Sequence, residues 1–190
     1  MISLIGNRPA LQVGRYQVID YDTAWLGDAL RRAALAAERH DFPFIDDIRS
    51  GIVQYLEHRC PLRLLPLNDL FERMRKMLTT IGCETIAEKL EPLAPPLTVS
   101  LLHAARAAGN GFELAFFECL RHELEELRRA GAEEIRFVDL KESALALRGS
   151  AKWDKHCQIL QEEILTFLQA RDREGQDFDR RLRLRVEGDR

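Results

Sequence analysis

Apolar residues recur at helical spacing along most of the chain, which predicts a protein built mainly of helices. Ahead of the first helix, residues 11–13 and 16–19 carry β-branched and aromatic residues in partial alternation and predict a small hairpin. Residues 6–9, Gly-Asn-Arg-Pro, have the composition of a turn. The N-terminal half is then predicted to form four helices, over residues 22–39, 44–58, 66–82 and 84–90.

The second half begins with an ambiguous apolar segment. Residues 97–102 fit either a buried strand or the start of a helix that continues through Ala108. The pattern then predicts a helix over residues 112–130, a strand over 135–138, a helix over 141–147 and a last long helix. A strand, helix, strand order of this kind predicts a right-handed parallel crossover. The last long helix is marked by Trp153, Cys157, Leu160, Ile164 and Phe167.

Two adjacent prolines, Pro95 and Pro96, favour a stiff, extended connection and mark the predicted boundary between two subdomains. The first covers residues 1–92 and the second covers residues 97–170. Residues 171–190 are polar and charged, which predicts a disordered tail in which residues 182–186 alternate like an edge strand. The predicted fold class is α+β, a mostly helical protein with an N-terminal hairpin, four helices, and a second helical subdomain with a short sheet. The predicted core residues are Leu70, Phe71, Met74, Leu78, Phe116, Leu120, Leu124, Ile164 and Phe167.

Composition is typical of a folded globular protein, with 46% hydrophobic and 31% charged residues among 190. The net charge of −3 provides no global field that would recruit nucleic acid or an anionic membrane. The apolar runs are too short to span a bilayer, and the N-terminus lacks the pattern of a signal peptide, so we expect a soluble, cytoplasmic protein. The widely spaced cysteines predict reduced and mostly buried thiols. They are Cys60, Cys83, Cys119 and Cys157.

The order of elements in residues 1–92 resembles the ATP-cone, a small regulatory nucleotide-binding domain found at the front of ribonucleotide reductases and in the repressor of their genes. In that order a hairpin leads to an aromatic-Asp pair, two apolar-striped helices, a third helix with a polar cap, and a short final helix. The residues that carry the resemblance are Tyr21-Asp22, the stripe Leu26, Ala29 and Leu30, then Tyr55-Leu56, Asn68-Asp69-Leu70 and Ile86-Ala87.

The resemblance implies a regulatory domain that senses ATP or dATP. In the family, bases in a Lys-Arg-Asp-Gly-like turn meet the phosphates, whereas residues 6–9 offer only Arg8 for that role. Trp25 stands where family members commonly carry a lysine. Arg8 is therefore the predicted cofactor-binding residue. Because a phosphate site needs several positive donors or a helix N-terminus, the resemblance leaves open either a working sensor or a degenerate domain that keeps the shape without the nucleotide.

No spacing of histidine and cysteine matches a known zinc pattern, and no metal ligand is assigned. Cys119 with His122, and His156 with Cys157, are the pairs that two helices could bring together. We expect instead that both cysteines are core residues and both histidines are solvated. A cysteine nucleophile would need a partner histidine that the spacing does not place beside it.

The turn over residues 109–111, Gly-Asn-Gly, lacks the third glycine of a dinucleotide fingerprint and the Lys-Ser/Thr of a P-loop, which favours a plain loop over an anion site. Glu118, His122 and Glu126 share a helix face opposite a core stripe, which predicts a solvated surface. The tail carries four arginines whose charge its acidic residues nearly cancel, so nucleic-acid binding is disfavoured. These arginines are Arg180, Arg181, Arg183 and Arg185.

Two functions fit these patterns. One is a regulatory nucleotide-sensing module of the ATP-cone type, and the alternative is a protein–protein interaction or assembly module without a small-molecule ligand. Adjacent apolar pairs such as Phe116-Phe117 cannot both lie on one narrow helical stripe, so one of each pair faces a second layer, a second copy or a protein partner. No nucleophile, metal set or cofactor loop is complete, which favours a non-catalytic role over an enzyme and assigns no catalytic residue.

Overall fold

The computed structural model describes residues 8–176 and 183–187. They form helices and two three-stranded sheets, which confirms the predicted α+β class. The chain divides into two compact units, Met1–Pro95 and Pro96–Arg190, called here the N-terminal and C-terminal units. None of the helices in the described ranges is both long and apolar enough to cross a membrane.

The N-terminal unit combines a mixed sheet with four helices. Strand β1 lies at the centre of the sheet, antiparallel to β2 and parallel to β3. The four predicted helices are confirmed, with ends that differ from the prediction by a few residues. The elements are β1 (Ala10–Val13), β2 (Tyr16–Val18), α1 (Ala24–Ala36), α2 (Ile45–His58), β3 (Leu64–Pro66), α3 (Leu67–Thr80) and α4 (Glu84–Lys89).

This sheet agrees with the sequence prediction in its hairpin and differs from it in strand β3. The hairpin predicted from residues 11–13 and 16–19 is confirmed and turns at Gly14 and Arg15, where Gly14 adopts the positive φ of 57° that a tight turn requires, whereas the turn composition of residues 6–9 lies ahead of the hairpin. The basic residue of the turn is thus Arg15, while Arg8 precedes the hairpin, and residues 6–7 lie outside the described residues. Strand β3 was not predicted, because three residues are too few to display alternation and their pairing partner β1 is far away in sequence.

The C-terminal unit is built on a parallel sheet with strand order β4-β5-β6. The ambiguous segment at its start contains both predicted alternatives in succession, since the chain passes from β4 directly into α5. The predicted parallel pairing of strands is confirmed. The elements are β4 (Leu97–Ser100), α5 (Leu101–Ala108), α6 (Glu113–Arg129), β5 (Glu134–Val138), α7 (Leu140–Arg148), α8 (Lys155–Gln176) and β6 (Arg183–Val186).

Most apolar side chains of the predicted helical stripes are buried among the described residues, and the exceptions include Ile81, which is 52% exposed where α3 ends. Phe112 is 63% exposed, because it caps α6 instead of lying within it. Phe167 is only half-buried and packs against the neighbouring half-buried ring of Phe117, at a centroid distance of 5.2 Å. Trp153 precedes α8 and is exposed. The predicted core residues that are buried are Leu70, Phe71, Met74, Leu78, Phe116, Leu120, Leu124 and Ile164.

The expectation of a disordered tail from residue 171 is wrong for most of its described part. Helix α8 continues to Gln176, and β6 forms the edge strand that the alternation predicts. A side chain on α8 holds this strand, since Asp172 Oδ1 accepts a hydrogen bond from the backbone N–H of Leu184 at 2.9 Å. Residues 177–182 and 188–190 lie outside the described residues.

Candidate functional site

An apolar groove lies between α2 and α3 in the N-terminal unit. Its volume is about 360 Å³, which is within the range of ligand pockets in proteins. Helix α2 contributes one wall and helix α3 the other, and we call this feature the α2–α3 groove. It is lined by Gly51, Ile52, Tyr55, Leu70, Arg73, Met74 and Met77.

Gly51 on α2 leaves open space at one wall of the groove. The buried stripe of α2 is formed by Ile48, Ile52 and Leu56, so Gly51 lies just beside this stripe, at the wall of the groove. A Cβ atom at Gly51 would meet no heavy atom within 4 Å. A glycine inside a helix costs roughly 0.5–1 kcal/mol relative to alanine, and no contact among the described residues requires one here.

Helix α3 gives the groove an adaptable apolar surface. Two of the three methionines of the chain, Met74 and Met77, line it. Met74 is 2% exposed and belongs to the core, whereas Met77 is half-buried. Methionine side chains are unbranched and polarizable, and they adapt to the shape of a bound apolar group.

The polar groups of the groove belong to two residues. Arg73 Nη1 donates a hydrogen bond to Tyr55 Oη, and the guanidinium lies 5.9 Å from the centre of the Tyr55 ring. A guanidinium has five N–H donors, so this bond uses only part of its capacity. The groove therefore offers apolar walls and one cation, an arrangement suited to an apolar group with a nearby negative charge.

Arg8, the predicted phosphate-binding residue, is engaged elsewhere in the N-terminal unit. Its Nη1 donates a hydrogen bond to the carbonyl oxygen of Tyr21 at 3.0 Å, and its Nε lies 3.7 Å from Glu57 Oε1. Its guanidinium also lies 5.3 Å from the centre of the Tyr21 ring. Arg8 does not line the α2–α3 groove. Its contacts join the segment before β1 to the approach to α1 and to the end of α2.

The aromatic residues at the start of α1 form a packed cluster. Tyr21 Oη donates a hydrogen bond to the carbonyl oxygen of Pro9 at 3.0 Å, and burial raises the pKa of Tyr21 to about 12. The Trp25 ring lies 6.3 Å from the Tyr21 ring and 6.2 Å from the Phe71 ring. The Trp25 indole N–H has no hydrogen-bond partner among the described residues. The position that the ATP-cone resemblance assigns to a lysine is thus filled by a buried, uncharged ring.

The cysteines are less buried than the sequence predicts. Cys157 is buried, but Cys119 is exposed because it lies on the solvent side of α6 together with His122. Cys60 and Cys83 are half-buried, so the expectation of mostly buried thiols is wrong. Within residues 8–176 and 183–187, no group of three or more His, Cys, Asp or Glu side chains is placed to hold a metal ion.

The face of α6 opposite its core stripe is solvated, as predicted. Glu118, His122 and Glu126 are all exposed. Arg121 Nη2 donates a hydrogen bond to Glu118 Oε1 at 2.5 Å, and this bond lowers the pKa of Glu118. His122 Nε2 lies 3.4 Å from Glu126 Oε1. Exposed pairs of this kind contribute little to stability.

The predicted turn over residues 109–111 is a loop with two amides used by the fold itself, of which the Gly109 N–H donates a hydrogen bond to the carbonyl oxygen of Ala105 at 3.1 Å. The Gly111 N–H donates a hydrogen bond to the carbonyl oxygen of Leu147 at 2.7 Å. The Asn110 side chain lies so close to Gly149 that a Cβ there would be 3.0 Å from Asn110 Nδ2. The turn therefore connects α5 to α6 and packs on the end of α7.

Sequence reasoning missed one polar pair in the C-terminal unit. Ser100, the last residue of β4, donates a hydrogen bond from Oγ to Asp139 Oδ2 at 2.5 Å. Asp139 follows β5 in the left-handed conformation, with a φ of 61°. The carboxyl ends of parallel strands meet at one edge of a sheet, and a polar residue after each strand is the signal that could have found this pair. The direct bond leaves no place for a histidine between the two side chains, unlike a hydrolase triad.

Chemically, the N-terminal unit offers an apolar groove with one cation, and the C-terminal unit offers a serine hydrogen-bonded to a carboxylate. The sequence pattern also did not predict the groove. Gly51, a glycine inside a predicted helix, is the signal that could have found it. The chain has no match among protein-family models, curated proteins or solved structures.

Proposed function

We propose that the chain is a non-catalytic regulatory module that binds an amphipathic helix of a protein partner in the α2–α3 groove. One observation carries the proposal, namely an apolar groove lined by Gly51, a helix-interior residue that the packing does not require and whose Cβ position opens onto free space. A helix-interior glycine costs roughly 0.5–1 kcal/mol relative to alanine, and the absent side chain leaves room at this wall for an apolar group of a ligand.

The lining of the groove favours a helix as its occupant. Leu70, Met74 and Met77 follow one another at the spacing of one helix face, with Leu70 and Met74 as the buried floor of the groove and Met77 half-buried at its surface. An amphipathic helix laid into such a groove inserts side chains at i, i+3 or i+4, and i+7. The Arg73 guanidinium complements an acidic residue beside that apolar stripe.

A second candidate function is nucleotide sensing by a domain of the ATP-cone type. The observation that favours it is the order of elements, since a hairpin, two helices, a third helix and a short fourth helix follow one another in the N-terminal unit. A triphosphate needs several cationic donors. Arg8 is paired with Glu57, and Arg73 is the cation that lines the groove, so this candidate has less support than the protein-binding one.

The proposal is tested by selecting helical peptides from a displayed library against the full chain. Peptides that bind the wild-type chain are expected to share an apolar i, i+4, i+7 pattern with an acidic neighbour. Gly51→Leu places a side chain in the open space of the groove and should weaken binding by about tenfold or more, since one excluded side chain is worth about 1.4 kcal/mol or more.

Gly27→Ala is the matched control. It also replaces a helix-interior glycine of the N-terminal unit, and its Cβ would meet Arg49 Cδ at an ordinary 3.5 Å. Binding should survive Gly27→Ala, and the melting temperature of Gly51→Leu should show that it folds. Peptides that bind Gly51→Leu as tightly as wild type would overturn the proposal. If ATP or dATP raises the melting temperature of the wild-type chain and Gly51→Leu abolishes this rise, the ligand of the groove is a nucleotide and not a helix.

A further inference from the structure

The parallel sheet of the C-terminal unit buries only one of its faces. Leu97, Val99, Ile135 and Phe137 point to one side and are at most 1% exposed. On the other side, the residues between them remain accessible to solvent. All-parallel sheets are ordinarily covered on both faces, so a solvated face is unusual.

The accessible residues form a charged row across the strands. Thr98 on β4, Arg136 on β5 and Arg185 on β6 lie side by side across the sheet. Two residues earlier along these strands, Glu134 on β5 pairs with Arg183 on β6. We call these five side chains the sheet face. The side chain of Arg136 is 44% exposed and that of Arg185 is 60% exposed.

The sheet face holds more positive than negative charge. Glu134 Oε1 lies 3.3 Å from Arg136 Nε and 3.9 Å from Arg185 Nη1, so one carboxylate oxygen serves two guanidinium groups. Like charges at directly opposite positions on neighbouring strands destabilise a sheet. The sheet face therefore has three guanidinium groups and a single carboxylate, and part of its donor capacity faces solvent.

We propose that the sheet face is a second docking surface, which binds an acidic helix of a protein partner. Helices are the elements that normally cover a parallel sheet. Neighbouring strands lie about 4.8 Å apart, and acidic residues at i and i+4 of a helix lie about 6 Å apart. Such a helix can therefore place one carboxylate over Arg136 and the next over Arg185.

The composition of the sheet face favours an acidic protein segment over single-stranded nucleic acid. Single-stranded RNA and DNA are bound by aromatic side chains that stack on the bases, together with a basic groove. The sheet face supplies guanidinium groups and a threonine hydroxyl but no aromatic ring among its five side chains. This proposal does not depend on the α2–α3 groove, which lies in the other unit.

The test uses a synthetic helical peptide with glutamates at i and i+4, and measures its binding to the full chain by fluorescence anisotropy at low ionic strength. The double variant Arg136→Gln/Arg185→Gln should weaken binding by about tenfold, because it removes both charge-assisted contacts. The matched control is Arg106→Gln/Arg148→Gln, which removes the same charge from exposed positions on α5 and α7. It should change binding by less than about twofold.

Equal weakening by both double variants would overturn the proposal, because binding would then reflect net charge alone. Tighter binding of a single-stranded RNA of equal charge, lost in Arg136→Gln/Arg185→Gln, would also overturn it and identify the sheet face as a nucleic-acid site. Melting temperatures verify that the variants fold, since surface substitutions of this kind change stability by about 0.5 kcal/mol or less.

Discussion

The two units each combine a three-stranded sheet with helices, yet they leave open surfaces of opposite chemistry. In the N-terminal unit, two helices leave an apolar groove beside Gly51. In the C-terminal unit, the sheet itself exposes a face that carries Arg136 and Arg185. Neither open surface follows from the fold class. Each follows from particular residues that the packing of its own unit does not explain.

The sheets account for part of this difference. The N-terminal sheet contains an antiparallel hairpin and strands of three or four residues, and its central strand buries Leu11 and Val13 while Gln12 is exposed and uncharged. The C-terminal sheet is parallel, and its alternation places apolar side chains on one side and charged side chains on the other. Alternation of this kind is typical of a sheet with one solvated face.

The largest effects are expected from large-to-small substitutions in the two cores. Phe71 and Phe116 are fully buried, one in each unit, and truncation of a buried phenylalanine to alanine costs about 3–5 kcal/mol. Because each unit has its own core, Phe71→Ala should lower hydrogen-exchange protection mainly in β1 and α3. Phe116→Ala should lower it mainly in β5 and α6.

The same pair of variants tests whether the two units unfold independently of each other. Ile81→Ala is the control, because Ile81 is 52% exposed at the end of α3 and its truncation should change protection little. Equal loss of protection in both units after Phe71→Ala alone would show that the two units unfold as one cooperative body.

The next effect is a pH dependence that belongs to the N-terminal unit alone. Burial raises the pKa of Tyr21 from 10.0 to about 12. Between pH 10 and 12 the unfolded chain loses the phenolic proton while the folded chain retains it, so the free energy of unfolding falls as pH rises. The fall attributable to Tyr21 is up to about 3 kcal/mol, and below pH 10 it is absent.

Denaturant unfolding at a series of pH values measures this dependence. Tyr21→Phe should flatten the fall above pH 10, although it also loses the hydrogen bond to Pro9, which is worth about 1 kcal/mol at all pH values. Tyr16→Phe leaves Tyr21 in place and should retain the fall. A profile that is unchanged by Tyr21→Phe contradicts the assignment.

The smallest effects come from one substitution made in both units, with opposite signs. Gly149 has a φ of 63° and lies against Asn110, so Gly149→Ala should destabilise the C-terminal unit by about 1–2 kcal/mol. Gly51 lies in a regular helix with open space around its Cβ position, so Gly51→Ala should stabilise the N-terminal unit by about 0.5–1 kcal/mol. Thermal melting of the two variants against wild type checks both signs, and destabilisation by Gly51→Ala would show that position 51 has a structural role.

The sequence predicts best those elements whose pattern lies within a single continuous segment, as in an apolar stripe along one helix. The helices were predictable because stripes such as Leu70, Met74 and Leu78 repeat at helical spacing. The alternation of residues 182–186 did predict the edge strand β6. Strand β3 was not predictable because it depends on pairing with β1, and the polar end of α8 was not because its Asp172 contacts Leu184 of β6. Partners of this kind are distant in sequence and leave no local signal.

The candidate sites were less predictable than the fold. The ATP-cone resemblance assigns Arg8 to phosphate binding by its place in a turn, but a position in the sequence does not reveal its pairing with Glu57. The α2–α3 groove depends on the open space beside Gly51. The sheet face depends on the strand register that places Arg136 next to Arg185. Both require the relative positions of elements that a periodic pattern does not give.

Methyl NMR on a chain labelled with ¹³C at its methionine methyl groups tests the central claim most directly. The chain has three methionines, and two of them, Met74 and Met77, line the α2–α3 groove. Addition of a selected amphipathic helical peptide should shift the Met77 signal strongly and the Met74 signal less, while ATP and dATP should shift neither of them. Unmoved Met74 and Met77 signals in the presence of a bound peptide, or shifts produced only by a nucleotide, would contradict the account.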